Sequence, residues 1–420
     1  MMAEDSAPSA TPYMDAVRAR QPLAGRRVLI LVENLAVPFD RRVWHECLTL
    51  KGAGAEVSVI CPVGQGFDAR YEEINGVHIY RHTLPADGEG ALGYLREYSV
   101  ALWQEMRLAL RIKRKHGFDT IQACNPPDLL FLVALPFKWF GRTRFVFDHH
   151  DINPELYEAK FERRGFFHRL LLLFERLTFK TADVVMSTNE SYAEIARERG
   201  KVDPRDNFIV RSGPNLARLK VVPPEPAWRN GRDHMIGYVG VMGDQEGLDL
   251  ILETARVMVR ERGRNVQFVL MGDGPALEGL RALAAELGVA DYITFTGWAN
   301  DQIVFPVLST ADVCVGPDRV NAMNDKSTMN KILEYMAFSR PIVQFDVTEG
   351  RRSAGDASLY AKVNDPVDFA DRIIELLDDP GRRAAMGELG RERILGELSW
   401  DHQVDSLIAA YERVAEKRPR

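Results

Sequence analysis

Short apolar runs alternate with amphipathic stretches along nearly the whole chain. Residues 28–32, 56–61, 77–81, 119–123, 144–147, 182–187 and 207–211 read as strands in the first half. Residues 235–239, 266–271, 292–295, 311–315 and 342–345 repeat the rhythm in the second. Runs apolar at consecutive positions suit strands covered on both faces, and so parallel sheets. Between them, residues 43–51, about 92–115, 369–377, 382–395 and about 403–416 carry apolar residues at helical spacing. The densest cluster of breakers, Pro223-Pro224-Glu225-Pro226 followed by Asn230-Gly231, predicts an interdomain linker. The expected division is a disordered lead-in over 1–24, an α/β domain over 25–222, a linker over 223–232, a second α/β domain over 233–400 and a closing helix over 401–420.

One stretch combines a helix start with charged groups. Asn324 to Phe338 opens with turn and capping residues and then turns helical, with Ile332, Leu333, Met336 and Ala337 on one face. Ser327 or Thr328 is expected to cap it through a side-chain oxygen. Lys331 and Glu334, three apart, share a face. The first amides of a helix lack helical partners and carry partial positive charge, which favours phosphate there. The Gly240 to Gly247 loop follows a strand and precedes a helix, and such a loop lets backbone approach a phosphate. The alternative is an ordinary capped helix and a tight turn. A dinucleotide-type Gly-x-Gly-x-x-Gly is absent after the first strand, which argues against an NAD enzyme.

In the first half, Asp148-His149-His150-Asp151 falls at the C-terminal end of an apolar strand, the edge where open α/β sheets bind ligands. A metal site is disfavoured because neighbouring side chains on an extended segment point to opposite sides. A histidine that orients substrate and a histidine satisfied by its surroundings both stay open. The stretch 163–180 holds Arg163, Arg164, Arg169, Arg176 and Lys180 against Glu175 alone. Phe166, Leu170, Leu173 and Leu177 would make its core stripe, and Phe167, Leu171 and Leu172 widen the apolar surface. A basic helix with surplus apolar surface on a protein of net charge -6 fits a membrane interface, or else a wide buried face.

The length of 420 residues favours two domains. The negative net charge argues against nucleic acid as a partner. The four cysteines have no paired short spacing, so a reducing cytoplasm fits better than a disulfide or zinc framework. The longest apolar run, around 129–140, falls short of the ~20 residues that span a bilayer.

Residues 28–34 with Pro38-Phe39-Asp40-Arg41-Arg42-Val43, then Phe147-Asp148-His149-His150-Asp151, 237–243, Met271-Gly272-Asp273-Gly274-Pro275 and Glu334-Tyr335-Met336-Ala337, in this order, resemble the retaining nucleotide-sugar glycosyltransferases of family four. The resemblance covers nearly everything after Gly25, and the bacterial polysaccharide-assembly members are the most similar in pattern. It implies the GT-B fold: two doubly wound Rossmann-like domains facing a cleft, with a C-terminal helix crossing back to the first. It implies a donor, a UDP-sugar, held by Gly240, Gly243, Arg211, Gly272, Asp273, Gly297, Asp325, Lys326, Ser327, Thr328, Met329, Asn330 and Glu334. It assigns His150, Asp151, Lys331 and Glu334 to catalysis, with Glu334 on the donor ribose. Glu33, Asn34, Phe39, Arg41 and Arg42 would face a lipid-linked or saccharide acceptor. No metal and no cofactor are expected, and the expected location is the cytoplasm, with the stretch Arg163 to Lys180 as the candidate for peripheral contact with the inner face of the cell membrane. Two positions depart from the pattern. The earlier glutamate of the family's paired motif is Lys326 here, with Asp325 beside it, and the basic residue expected before Gly247 is Glu246. The rival readings are a non-catalytic partner subunit of the same fold and a sugar-nucleotide epimerase.

Overall fold

The computed structural model describes residues 12–83 and 90–417. They form two compact units: the first comprises residues up to Ser212 together with the stretch from Trp400, and the second runs from Gly213 to Ser399.

The first unit is an eight-stranded sheet with flanking helices. In chain order its strands are β1 (Arg27–Val32), β2 (Glu56–Pro62), β3 (Tyr71–Ile74), β4 (Val77–His82), β5 (Thr120–Cys124), β6 (Arg144–His149), β7 (Val184–Ser187) and β8 (Asn207–Ile209). The spatial order is β3-β4-β2-β1-β5-β6-β7-β8, with β3 antiparallel to β4 and the other neighbours parallel. Successive connections move outward from β1 in one direction and then from β5 in the other. The β1/β5 boundary is therefore the topological switch point, where ligands of such sheets bind. Register sets Val32 beside Cys124 and Cys124 beside Asp148, so three strands end level with one another.

The second unit is a six-stranded, all-parallel sheet. Its strands are β9 (His234–Val239), β10 (Val266–Met271), β11 (Ile293–Phe295), β12 (Val313–Gly316), β13 (Ile342–Phe345) and β14 (Ser358–Ala361), in the order β11-β10-β9-β12-β13-β14. Its switch point lies between β9 and β12. Each face carries its own apolar cluster, one including Leu252, Phe268, Phe345 and Phe369, the other Val269, Leu308, Leu333 and Phe338. These are the two doubly wound sheets of the expected fold class.

Three expectations are corrected. The lead-in is ordered from Pro12: Pro12–Arg20 is a helix whose Met14 and Val17 join the first unit's core with Leu23. Its polar composition hid two apolar residues three apart, which is enough to anchor one helical face. Residues 1–11 of that lead-in lie outside the described residues. The proposed linker is bound to the second unit. Leu216, Leu219, Val222 and Trp228 pack against its core, and the Val222 and Glu225 amides donate to Ser309 Oγ and Thr310 Oγ1 at 3.2 and 2.8 Å. Prolines there exclude regular structure without excluding packing.

The third correction concerns the helix Phe166–Thr181. Its buried residues are Glu175, Thr178 and Phe179, whereas Phe166 and Leu173 of the expected core stripe are 74% and 49% exposed. Polar partners choose the face: Arg199 binds Glu175 at 2.6 Å, and Thr178 Oγ1 donates to the Asp128 carbonyl at 2.8 Å.

The closing helix Val404–Glu416 packs in the first unit's core through Val404, Leu407, Ile408, Tyr411 and Val414. Just before it, Trp400 Nε1 donates to Thr49 Oγ1 at 3.0 Å. Among the described residues no helix is long and apolar enough to cross a membrane.

Candidate functional site

In the first unit the sequence-predicted histidine sits on a buried charge cluster. Asp148 and His150, two apart on an extended segment, share a face. His150 Nε2 lies 2.6 Å from Asp148 Oδ2 and 2.8 Å from Arg42 Nε. Both approaches cannot be hydrogen bonds to one nitrogen. The full charge and shorter distance of the carboxylate decide it: Nε2 carries the proton and donates to Asp148, leaving Nδ1 as the acceptor. Arg42, in the first turn of the helix Arg41–Gly52, also donates to Asp148 Oδ1 at 2.8 Å and to the Val210 carbonyl at 2.6 Å. Burial opposes both charges, yet their pairing wins. Asp148 is held well below the usual carboxylate range by Arg42 and His150, and Arg42 is raised. Glu46, one turn on, is pushed well above its ordinary value by burial and by Asp148, so it keeps its proton. Gln122 Nε2 donates to Glu46 Oε2 at 2.7 Å and to Asp148 Oδ2 at 3.1 Å.

Cys124 Sγ, an Asp148 oxygen and a His150 nitrogen all lie within 4.8 Å of one another, a donor set on which a metal reading could rest. The residues do not fit a divalent cation. Burial and Asp148 push the Cys124 thiol up, so it stays neutral, and the Arg42 guanidinium already supplies the positive charge.

The remaining first-unit expectations divide. His149 is fully buried among Phe147, Phe179 and Tyr192, and burial lowers it to about 3. It is a neutral packing residue. Asp151 contributes backbone rather than carboxylate contacts: Asn125 Oδ1 accepts from the His150 and Asp151 amides at 2.7 and 3.1 Å. Asp40 caps the helix at Arg41 by accepting from the Val43 amide at 3.1 Å. That capping turns Arg42 inward, so it leaves the acceptor-side set for the charge cluster. Asn34, Phe39 and Arg41 are exposed, and Glu33 is buried. Arg211, expected on the donor, lies in the first unit, with its guanidinium on Glu190 and its amide donating to Gln403 Oε1 at 3.1 Å.

In the second unit, backbone makes the site. Gly240, Gly272 and Gly297 follow β9, β10 and β11 and meet at one sheet edge. The Gly240 amide donates to the Met271 carbonyl, and the Gly272 amide to the Gly297 carbonyl, both at 3.0 Å. Gly272 has φ +145°, and a Cβ there would stand 1.8 Å from the Gly240 carbonyl oxygen. Only glycine allows that approach. The Asp273 carbonyl accepts from the Met242 amide at 3.0 Å, and Gly243 opens the turn Asp244–Glu246.

The helix expected near 329 is Asn330–Ala337, and its cap is corrected. Met329 occupies the N-cap position with no side-chain hydrogen bond, while Ser327 Oγ donates back to the Met323 carbonyl at 2.9 Å. A tight turn over Asn324–Lys326, itself held by Asn321 and Gln245, shifts the start beyond both hydroxyls. Asn330 is exposed and Thr328 and Lys326 are half-buried. Asp325 is committed elsewhere, accepting from the Thr348 amide at 2.8 Å and from its hydroxyl at 3.1 Å. Lys331 Nζ lies 2.6 Å from Asp318 Oδ1 and 5.0 Å from the centre of the Tyr238 ring. Burial opposes its charge, but Asp318 holds it protonated. Burial raises Glu246 as well, with Lys331 opposing. Glu334 keeps 21% side-chain exposure, with Arg218 Nη2 at 3.4 Å.

Sequence reasoning missed Arg218, Asp318, Glu46, Gln122 and Tyr411 as partners of the chosen residues. Asp148 and Asp318 carried a local signal, each a carboxylate at a strand's end. Glu46 lies one helical turn from Arg42, a spacing visible in the sequence, whereas Arg218, Gln122 and Tyr411 carried no local signal because their partners lie far away in sequence.

The family model described as "Glycosyl transferases group 1" matches residues 233–379, and that described as "Glycosyl transferase 4-like domain" matches 40–213. The 2-deoxystreptamine glucosyltransferase of Streptomyces kanamyceticus is 26% identical over 352 residues, 81% of this chain and 89% of its own. Seven other curated relatives align over only 45 to 64% of their own length. Sucrose-phosphate synthase from Thermosynechococcus elongatus superposes with a TM-score of 0.75 at 18% identity, covering 93% of this chain and 99% of that one. HepE of Anabaena, solved with UDP and glucose, gives a TM-score of 0.67 at 13% identity, covering 93% and 98%.

Proposed function

We propose that this chain, a glycosyltransferase of the GT-B type, is a retaining enzyme that moves a hexosyl or N-acetylhexosaminyl group from a UDP-sugar to a lipid-linked or saccharide acceptor in surface-glycan or exopolysaccharide synthesis, without a metal ion. The observation that carries the donor half of this reading is the stack of Gly240, Gly272 and Gly297 at the edge of the second sheet. A sheet edge kept free of side chains at these three positions, together with the amides at the start of Asn330–Ala337, suits a diphosphate. The glucosyltransferase relative and the UDP and glucose of HepE favour a uridine donor of a hexose.

In the reaction the bond from the anomeric carbon to the diphosphate oxygen breaks, and the acceptor hydroxyl oxygen bonds to that carbon on the same face. The hydroxyl proton passes to the departing phosphate oxygen. Negative charge grows on the diphosphate, where the helix-start amides lower its energy. Lys331 adds positive charge that Asp318 partly cancels. Glu334 accepts from the ribose hydroxyls. His150, oriented by Asp148, offers Nδ1 to a hydroxyl of the transferred sugar.

The acceptor half rests on surface composition. Trp139 and Phe140 on the helix Phe131–Gly141 are 67% and 88% exposed, and the neighbouring helix Phe166–Thr181 exposes Phe166, Phe167 and Leu173 beside Arg169 and Arg176. Exposed aromatics among arginines suit the interface of an anionic bilayer.

Thermal denaturation with uridine, guanosine and adenosine diphosphates tests the donor. Uridine diphosphate is expected to raise the midpoint, by an amount equivalent to about 2.7 kcal/mol at 100 times its Kd. Glu334→Ala should lose that shift, and a chelator should leave turnover intact. No shift with any nucleoside diphosphate would remove the assignment. Flotation with vesicles containing anionic lipid tests the surface, and Phe140→Ser with Phe166→Ser should abolish it.

A second reading has its own support. Asp325 is used as a cap, Lys326 stands where a carboxylate is expected, and Lys331 is neutralised. These favour a partner subunit that binds donor without turning it over. Purified protein that takes up uridine diphosphate yet neither transfers nor hydrolyses the sugar would select it.

A further inference from the structure

The cluster beneath His150 continues past Asp148 to the closing helix. Tyr411, 4% exposed, donates its hydroxyl to Gln122 Oε1. Gln122 is fully buried on β5, and its amide nitrogen faces Asp148 and Glu46. An amide has two ends, and only one orientation serves both neighbours. Burial and the surrounding carboxylates raise Tyr411 well above the ordinary phenol value, so it stays a donor. A donor on that side fixes Oε1 toward the tyrosine and Nε2 toward the carboxylates.

We infer that Tyr411 is a positioning residue for His150, acting through Gln122 and Asp148: it sets the direction of the Gln122 amide, and so the hydrogen bond that keeps the Asp148 carboxylate weakly basic toward the imidazole. Neither family model reaches this helix; their matches end at 213 and 379. The inference rests on the reading of His150 as the residue that meets the sugar.

The groups that face this pair come from several elements. Arg42 and Glu46 lie on the helix Arg41–Gly52, Cys124 and Gln122 on β5, Asp151 on the segment of His150 itself, and Tyr411 on the closing helix. Losing one donor from Asp148 makes the carboxylate a stronger base, which stabilises the protonated imidazole and moves His150 titration upward.

Tyr411→Phe removes one oxygen and leaves the apolar packing of the ring. Titration of the His150 ring signals by NMR, assigned through His150→Gln, is the primary readout. An upward displacement of at least ~0.5 pH unit in Tyr411→Phe is expected, with a matching move in the acidic limb of the transfer rate and little change in KM for the donor. A displacement below that threshold in the folded variant would overturn the inference, because loss of mere packing moves no titration. Gln122→Met, which removes the donating amide at nearly constant shape and adds no charge, must displace it in the same direction. Failure of the underlying reading is distinguishable: His150→Gln would then transfer sugar at the wild-type rate, whatever the titration shows.

Discussion

Beneath the end of β6, His150 is fixed by side chains drawn from three parts of the sequence, with Arg42, Asp148, Glu46 and Gln122 all buried. At the ends of β9, β10 and β11, Gly240, Gly272 and Gly297 are held mainly by backbone hydrogen bonds, with local help from the Thr296 and Tyr238 hydroxyls, which donate to the Gly297 and Val241 carbonyls. The first arrangement places one imidazole and needs every charge answered. The second keeps side chains off a sheet edge and needs only that nothing occupy the space. The first therefore fails by leaving a charge unpaired, and the second by gaining an atom.

Removing a charge from the first region is the most severe test. Asp148→Ala takes the paired carboxylate from buried Arg42 and from His150 and leaves Glu46 as the remaining acidic neighbour, and a loss of about 3–5 kcal/mol is expected in urea unfolding. A loss under about 1 kcal/mol would mean that water reaches the cluster and that the contrast between the two regions is overstated. Adding an atom to the second region comes next. Gly272→Ala must leave φ +145° or push back the Gly240 loop, at about 1–3 kcal/mol. Its sharper consequence is loss of the stabilisation by uridine diphosphate, and an unchanged response would detach the loop stack from donor binding. The smallest effect belongs to Asp325, which was expected on the donor and instead holds a helix start. Asp325→Ala should cost about 1 kcal/mol through the Thr348 helix start. Nucleotide affinity should not change; if it drops tenfold, Asp325 serves the donor after all.

What could be read from sequence follows the same contrast. Both sheets were legible because their strands are apolar at consecutive positions, a signal carried inside five or six residues. The short β3 and β14 escaped: Tyr71–Ile74 alternates exposed with half-buried residues, and Ser358–Ala361 has half-buried centres. Glycines at strand ends were legible for the same local reason. The orientation of the helix Phe166–Thr181 was not, because Arg199 and Asp128 select its face from a distance. Ser327 and Thr328 looked like caps, and a preceding tight turn used one of them first. His150 was found and its supports were not, since Arg42 lies 108 residues away and Tyr411 reaches Gln122 across 289.

The first unit is made of two pieces of chain, and the whole of 213–399 lies between them. During synthesis its sheet is complete once β8 has emerged, but Trp400, Leu407 and Tyr411 arrive only after the intervening 187 residues (399 − 213 + 1) have been added. At ordinary elongation rates that delay is on the order of 10–40 s. Throughout it one apolar face of the nascent sheet waits uncovered on the ribosome, a window in which a chaperone has a binding surface and the intervening unit has time to fold first.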